Sequence, residues 1–209
     1  MPTTPPDSKT RFLDAALQVI RSKGYAATRI EDLCAVAGLT KGSFFHHFKG
    51  KEDLAAAAAE HWSAGTAGFF QRAPYHAHAD PRDRVLGYVA FRKAILRGEL
   101  REFTCFAGTL VQETYDTHPA LRDACEKSIS GHAAEVAKDI AEARLRYAPD
   151  APWSAESLAL HTQAVLQGAF ILAKARGGPE VAAQCIDHLI RYLELLFPQP
   201  SQPRPPEGS

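Results

Sequence analysis

Apolar residues recur at intervals of three and four along most of this chain, and no two-residue alternation of a half-buried strand competes with them. Over residues 10–23, Phe12, Leu13, Ala16, Leu17, Val19 and Ile20 form one apolar stripe that Gly24 closes. Ile30, Leu33, Cys34 and Ala37 form a second. Thr28 is the expected N-cap of that helix, Glu31 three residues on would complete a capping box, and Gly38 ends it. Thr40 caps a third helix of two turns, 41–48, in which Phe44 and Phe48 share a face and Phe45 packs beside them. A helix that short is not stable alone, so its Phe side chains must hold it against neighbours. Lys41, Ser43, His46 and His47 are left for the other surfaces. Further helices are expected over 51–72, 81–97 with Asp80 as cap, 103–116, 119–147, 154–176 with Ser154 as cap, and 179–197, divided by Pro and Gly. The fold class is therefore all-α, with about nine helices and no sheet. It divides into a three-helix head at 1–52, a larger helical domain at 53–197, and Pro-rich ends at 1–8 and 198–209 that read as disordered.

The head has the layout of a helix-turn-helix: a capped helix, a glycine turn, then a short helix with polar groups facing outward and a basic end at Lys49-Gly50-Lys51. That layout suits a module that puts one helix into a DNA major groove. Charge points the same way. Residues 1–52 carry eight Lys/Arg and five Asp/Glu, a net +3, whereas the whole chain has 24 of each, so the remainder is −3. An ordinary aromatic helix with solvated lysines is the plainer reading of 41–51, but caps, turn, aromatic face and basic end all fall in register. Hydrophobic content of 45% is enough for a sizeable core. No run of 18 apolar residues and no N-terminal apolar segment appear, so a membrane span and a secretory signal are not expected and the chain reads as cytoplasmic and bacterial in style. Cys34, Cys105, Cys125 and Cys185 have no CxxC spacing, which suits a reducing compartment.

Residues 10–56 resemble the DNA-binding domain of the TetR family of transcriptional regulators. The resemblance rests on Ala15-Ala16, Gly24-Tyr25, Thr28-x-Ile30-x-Asp32-Leu33, Ala37-Gly38, and the string from Lys41-Gly42-Ser43-Phe44-Phe45-His46-His47-Phe48 to Lys49-x-Lys51-x-x-Leu54. It implies a homodimer, usually a repressor, that binds a double-stranded palindromic operator and lets go when a small-molecule effector enters the C-terminal domain. Carried over by position, Thr28, Thr40, Lys41, His47 and Lys51 would contact phosphates, and Ser43, Phe44 and His46 would approach bases or their flanks. One departure stands out. The family usually has Tyr where this chain has Phe45, and the phosphate contact of that hydroxyl should be missing.

Two helices near the C-terminus carry broad apolar faces: Leu158, His161, Thr162, Val165, Leu166, Ala169, Phe170 and Leu172 on one, Val181, Cys185, Ile186, Leu189, Ile190, Leu193, Leu196 and Phe197 on the other. Two such helices from each of two chains could make a four-helix dimer interface, as the resemblance also implies. The plainer alternative is that both faces are consumed within one chain.

For an effector pocket among the middle helices, Trp62, Phe69, Phe91, Phe103, Phe106 and Phe170 are candidates, each with an ordinary core role as the alternative. Cys105 is the sharper lead, because a helix N-terminus lowers a thiol pKa. The string Cys105 to Glu113, with Gln167-Gly168-Ala169-Phe170 and Lys174, resembles a branch of the family that responds to reactive electrophiles and oxidants. The Lys174 ammonium would face the pocket near that thiol. Otherwise Cys105 is a small buried hydrophobe. Cys34, Cys125 and Cys185 read as structural. His76-x-His78 supplies two possible metal ligands where a site needs three, so neither metal nor cofactor is expected. An enzyme is the rival class, with a thiol-dependent helical enzyme as its only form, since no catalytic triad, phosphate loop or acid pair appears. A helical interaction protein that does not bind DNA is the third reading.

Overall fold

Ten α-helices and one short 3-10 turn make up the computed structural model, which describes residues 7–198; no strand occurs among them. The expected tails therefore fall outside the described residues, apart from Asp7, Ser8 and Pro198. Asp7 already caps the first helix, accepting from the Thr10 backbone N–H at 2.7 Å, and Ser8 lies within it.

The head is α1 (Ser8–Lys23), α2 (Ile30–Ala37) and α3 (Lys41–His47). Phe12, at the centre of the α1 stripe, meets Phe44 and Phe48 edge-on, with ring centroids 5.4 and 6.3 Å apart. These contacts supply the packing that a seven-residue helix needs. Gly38 ends α2 in the left-handed conformation, φ 61°. The Arg11 guanidinium donates to the carbonyl of Ala37 at 2.6 Å, satisfying the end of α2 from α1.

The start of α2 differs from the sequence expectation. Arg29, not Thr28, is the N-cap, and the carboxylate that accepts from its backbone N–H is Asp32 (2.8 Å), not Glu31. The Thr28 hydroxyl is instead drawn inward, donating to the Gly24 carbonyl at 2.6 Å within the α1–α2 turn.

Beyond the head lie α4 (Lys51–Gln71), the 3-10 turn Pro74–Ala77, α5 (Pro81–Ala94), α6 (Leu100–Phe103), α7 (Phe106–Thr114), α8 (Pro119–Tyr147), α9 (Ala155–Arg176) and α10 (Glu180–Leu196). The expected helix over 103–116 is two helices. Glu102 folds back to the Glu99 backbone N–H at 2.6 Å, a capping box that opens the single turn of α6. Thr104 and Cys105 are then extended, and Cys105 becomes the N-cap of α7. The count is accordingly ten rather than about nine, and α5 stops at Ala94, three residues short of the expectation, with Gly98 at φ 78° in the connection to α6.

The hydrophobic core of the head does not stop at residue 52. One buried cluster runs from Phe12, Leu33 and Phe44 through Leu54, Ala55 and Ala58 of α4 to Phe106 and Leu110 of α7 and Leu121 and Cys125 of α8. A second fills the body between α5, α8, α9 and α10, and Cys105 packs against both. No helix among the described residues is long and apolar enough to cross a membrane.

Candidate DNA-reading surface and effector cavity

Which side chains of the head face outward follows from how α3 is held. Thr40 caps it, accepting from the Ser43 backbone N–H at 3.2 Å. Phe44 is fully buried and Phe48 nearly so. Thr40, Lys41, Phe45, His46 and Lys49 are exposed, and Ser43 and His47 are half-buried. Three of the expected contact residues are placed otherwise. Phe44 belongs to the core with Phe12, because it is the α3 residue aimed at α1, and it cannot approach a base. Thr28 is 2% exposed with its hydroxyl already engaged, so it offers no side-chain contact to a phosphate. Lys51 turns back into the α1–α2 turn, donating to the carbonyls of Tyr25 (2.9 Å) and Thr28 (3.0 Å) with its ammonium 4.3 Å from the Tyr25 ring centroid. Burial lowers its pKa, and its charge is spent on that turn.

Lys41 pairs with Glu31 at 2.5 Å, and both side chains are 59% exposed. A surface pair of that kind contributes little and exchanges readily for a phosphate. His47 shares a hydrogen bond with the Ser8 hydroxyl at 2.6 Å. Phe45, expected beside the other Phe rings, is 57% exposed and touches only their edge, 5.2 Å from the Phe44 centroid. With Arg29 and Lys49 it belongs to the outward surface. Its place off the Phe44–Phe48 face was the signal.

The body contains a cavity of about 480 Å³ between α4, α5, α8 and α9, within the usual range for a small-molecule site. Trp62, Phe69, Phe103, Phe170 and Cys105 line it. Phe106 does not: it is fully buried in the head's core, since α7 turns that face towards α1 and α4. Phe91 stands behind the wall, its ring centroid 5.4 Å from that of Phe69. The polar lining was missed. Gln163 donates to the Tyr88 hydroxyl at 3.0 Å, and that hydroxyl lies 3.0 Å from His132 Nε2. Burial, reinforced by the nearby Arg92 cation, pushes the His132 imidazole down to about 4, so it is neutral near pH 7. Arg92 also lines the cavity. The signal was periodic: Arg92 continues the α5 stripe of Val85, Tyr88 and Val89, where an apolar residue is expected.

Cys105 Sγ accepts the Gly108 backbone N–H at 3.3 Å, in the usual geometry of a side chain capping a helix. Lys174 does not enter the cavity. Its ammonium donates to the Thr109 hydroxyl at 2.7 Å and lines a separate hollow with Arg21, Lys23, Glu99 and Glu113. Burial lowers the Lys174 pKa. Cys125 is a buried thiol pushed up to about 12 by desolvation, the state of an inert core residue. No cluster of three metal-ligating side chains occurs among the described residues. His76 hydrogen-bonds to the Phe70 carbonyl.

The faces named for α9 and α10 are largely consumed inside the chain: Leu158, Thr162, Leu166, Ala169 and Phe170 are buried, as are Ile186, Leu189, Leu193 and Phe197. Of the named residues Leu172 remains exposed (45%), and it is joined on the surface by Leu160 (50%), Ile171 (48%), Tyr192 (42%) and Leu195 (80%).

The path from cavity to head is short. Cys105 caps α7 on the cavity wall, and Glu113, the penultimate residue of that helix, accepts the backbone N–H groups of Tyr25 (3.1 Å) and Ala26 (2.9 Å) in the α1–α2 turn.

Residues 12–58 match the family model described as "Bacterial regulatory proteins, tetR family", and residues 81–187 match "Transcriptional regulator LmrA/YxaF-like, C-terminal domain". These families are transcriptional regulators, not enzymes. Among curated relatives, the uncharacterised HTH-type regulator YerO of Bacillus subtilis is 36% identical over 56 residues, 27% of this chain and 19% of that protein. The regulator CymR of Pseudomonas putida is 41% identical over 54 residues, 26% of this chain and 27% of that protein. The alignment therefore spans about a quarter or less of these relatives. Solved structures extend the likeness in fold to nearly the whole chain. Reduced NemR of Escherichia coli has a TM-score of 0.79 at 21% identity, covering 94% of this chain and all of that one. A CifR cysteine mutant, described as complexed with a 26 bp operator, has a TM-score of 0.73 at 20% identity, covering 91% of this chain and 98% of that one.

Proposed function

The chain belongs to the TetR family of transcriptional regulators, and on that footing we propose that it is a cytoplasmic repressor that binds a palindromic operator as a homodimer and releases it when a small molecule enters the body cavity. The observation that carries the DNA-binding part is the way α3 is mounted. Its aromatic face is buried against Phe12, and Thr40, Lys41, Phe45 and His46 are left exposed on one short helix after a left-handed glycine turn. The exposed stripe on α9 and α10 supports pairing of two copies. Gly168 lies between Leu160 and Ile171 with nothing within 4 Å of where a Cβ would stand, so a second helix can approach closely there. A two-fold dimer would present its two α3 helices to half-sites roughly one DNA turn apart. The Glu113 contact gives the cavity wall a direct hold on the head. An electrophoretic shift with DNA flanking the chain's own gene tests the reading: the protein should retard a palindromic fragment at low salt, and retardation of none would refute it.

A second trigger has its own observation. Cys105 Sγ lies on the cavity wall at the N-terminus of α7, where an electrophile entering the cavity would meet it. A thiolate there would add to an activated alkene, forming an S–C bond at the β-carbon while the α-carbon takes up a proton. Cys105→Ser should keep operator binding and lose release by N-ethylmaleimide; a variant released as readily as the parent would overturn this trigger.

A further inference from the structure

The cavity holds a cation without a counter-ion. Arg92 reaches in from α5, and its guanidinium carbon lies 5.2 Å from the Phe70 ring centroid and 5.4 Å from that of Phe170. Its Nε is shielded from solvent and has no hydrogen-bond partner, and among the described residues Arg92 makes neither an ion pair nor a side-chain hydrogen bond. Other arginines packed into the body find a partner for the guanidinium: Arg82 donates to the Phe197 carbonyl, Arg84 pairs with Asp139 and Glu142, and Arg144, whose Nε is also unpartnered, donates through Nη2 to the Ala151 carbonyl. The one carboxylate on the cavity wall, Glu102, is held by the Glu99 backbone N–H. A guanidinium always carries its charge, and two aromatic faces offset only part of the cost of shielding it.

From these observations we propose that the cavity takes an organic anion: a carboxylate, or a group of like geometry, on a flat apolar body. The carboxylate forms a charge-assisted pair with Arg92. The body lies among Trp62, Phe69, Phe103 and Phe170. Gln163 and neutral His132, already joined through the Tyr88 hydroxyl, supply the polar edge that selects its orientation. This deepens the regulator reading and rests on it for the ligand's role as effector, but the anion site itself stands on Arg92.

The test is calorimetric titration of the full-length protein with 2-naphthoate and with its neutral isostere 2-naphthamide. The parent protein should bind the acid about ten- to hundredfold more tightly than the amide, the worth of a shielded charge-assisted pair. Arg92→Gln should erase that preference with little change in amide affinity, and Arg92→Lys should keep part of it. Equal affinities in the parent protein, no binding of naphthoate, or a preference that survives in Arg92→Gln would each overturn the proposal. The comparison within the parent protein decides the matter even where a variant fails to fold. An operator shift run alongside separates the two readings: a protein that shifts its operator and ignores the anion strikes this proposal alone, and one that binds the anion and shifts no DNA strikes the regulator reading alone.

Discussion

Replacing Glu113 with alanine removes the only hydrogen bonds by which α7 grips the α1–α2 turn among the described residues. Two backbone N–H groups, of Tyr25 and Ala26, lose a carboxylate at 3.1 and 2.9 Å. A shielded hydrogen bond to a charged group contributes about 1.5–3 kcal/mol. Here the carboxylate and Ala26 are exposed, so about 1 kcal/mol for each bond, or roughly 2 kcal/mol in all, is the appropriate scale. For a chain of this length that corresponds to a fall in Tm of about 4–8 °C. Hydrogen exchange should rise at the Tyr25 and Ala26 amides ahead of the α1 and α2 interiors, because local opening of the turn no longer breaks a tertiary contact. The coupling should suffer more than DNA affinity: an effector that still fills the cavity would release the operator less completely. Glu113→Gln, which keeps one oxygen acceptor without the charge, should fall between. A Tm within about 1 °C of the parent, with unchanged exchange at those two amides, would refute the claim that this carboxylate joins body to head.

Two neighbouring substitutions on α3 should separate core from surface. Phe44→Ala empties a fully buried site against Phe12 and Phe48 and should cost about 3–5 kcal/mol in chemical denaturation. Phe45→Ala should alter stability by no more than about 0.5 kcal/mol yet weaken operator binding, as fluorescence anisotropy would measure; similar denaturation losses for both would contradict the placement of Phe45. The buried His132 imparts a pH dependence. The unfolded chain takes up a proton with the ordinary imidazole value of 6.5 and the folded chain only near 4, so stability falls as pH drops through that window and is flat above it. The loss is on the order of 2–3 kcal/mol, and urea midpoints between pH 4 and 7 should show that His132→Gln removes most of it.

The helices were legible because their stripes are long and their breaks are chemically explicit: Gly24, Gly38 and Gly177 all take positive φ, and Asp80, Ser154 and Thr40 all cap. What misled was competition between equally plausible local partners. By residue type Thr28 reads as the cap of α2, but its hydroxyl is taken by the Gly24 carbonyl, a contact set by the turn rather than by spacing, and the helix opens one residue later at Arg29. In the same way, a lysine after a recognition helix reads as a phosphate contact until the fold brings three carbonyls to it, as it does for Lys51. Of the cavity, the aromatic lining could be read and the polar lining could not, because Arg92, His132 and Gln163 lie on three helices far apart in sequence. Each interrupts an apolar stripe, but only the tertiary fold shows that the interruptions converge.

The unbroken core beneath the head limits what can be transplanted. A fragment ending at residue 52 would expose the apolar face of α1 that now packs on α4 and α7, and it should aggregate or melt at low temperature. Exchanging DNA specificity between this chain and a relative would therefore mean moving more than the helix-turn-helix. The portable piece is the head together with the first turns of α4 and the matching surface of α7 and early α8, so the reading unit and the listening unit share residues that neither can give up.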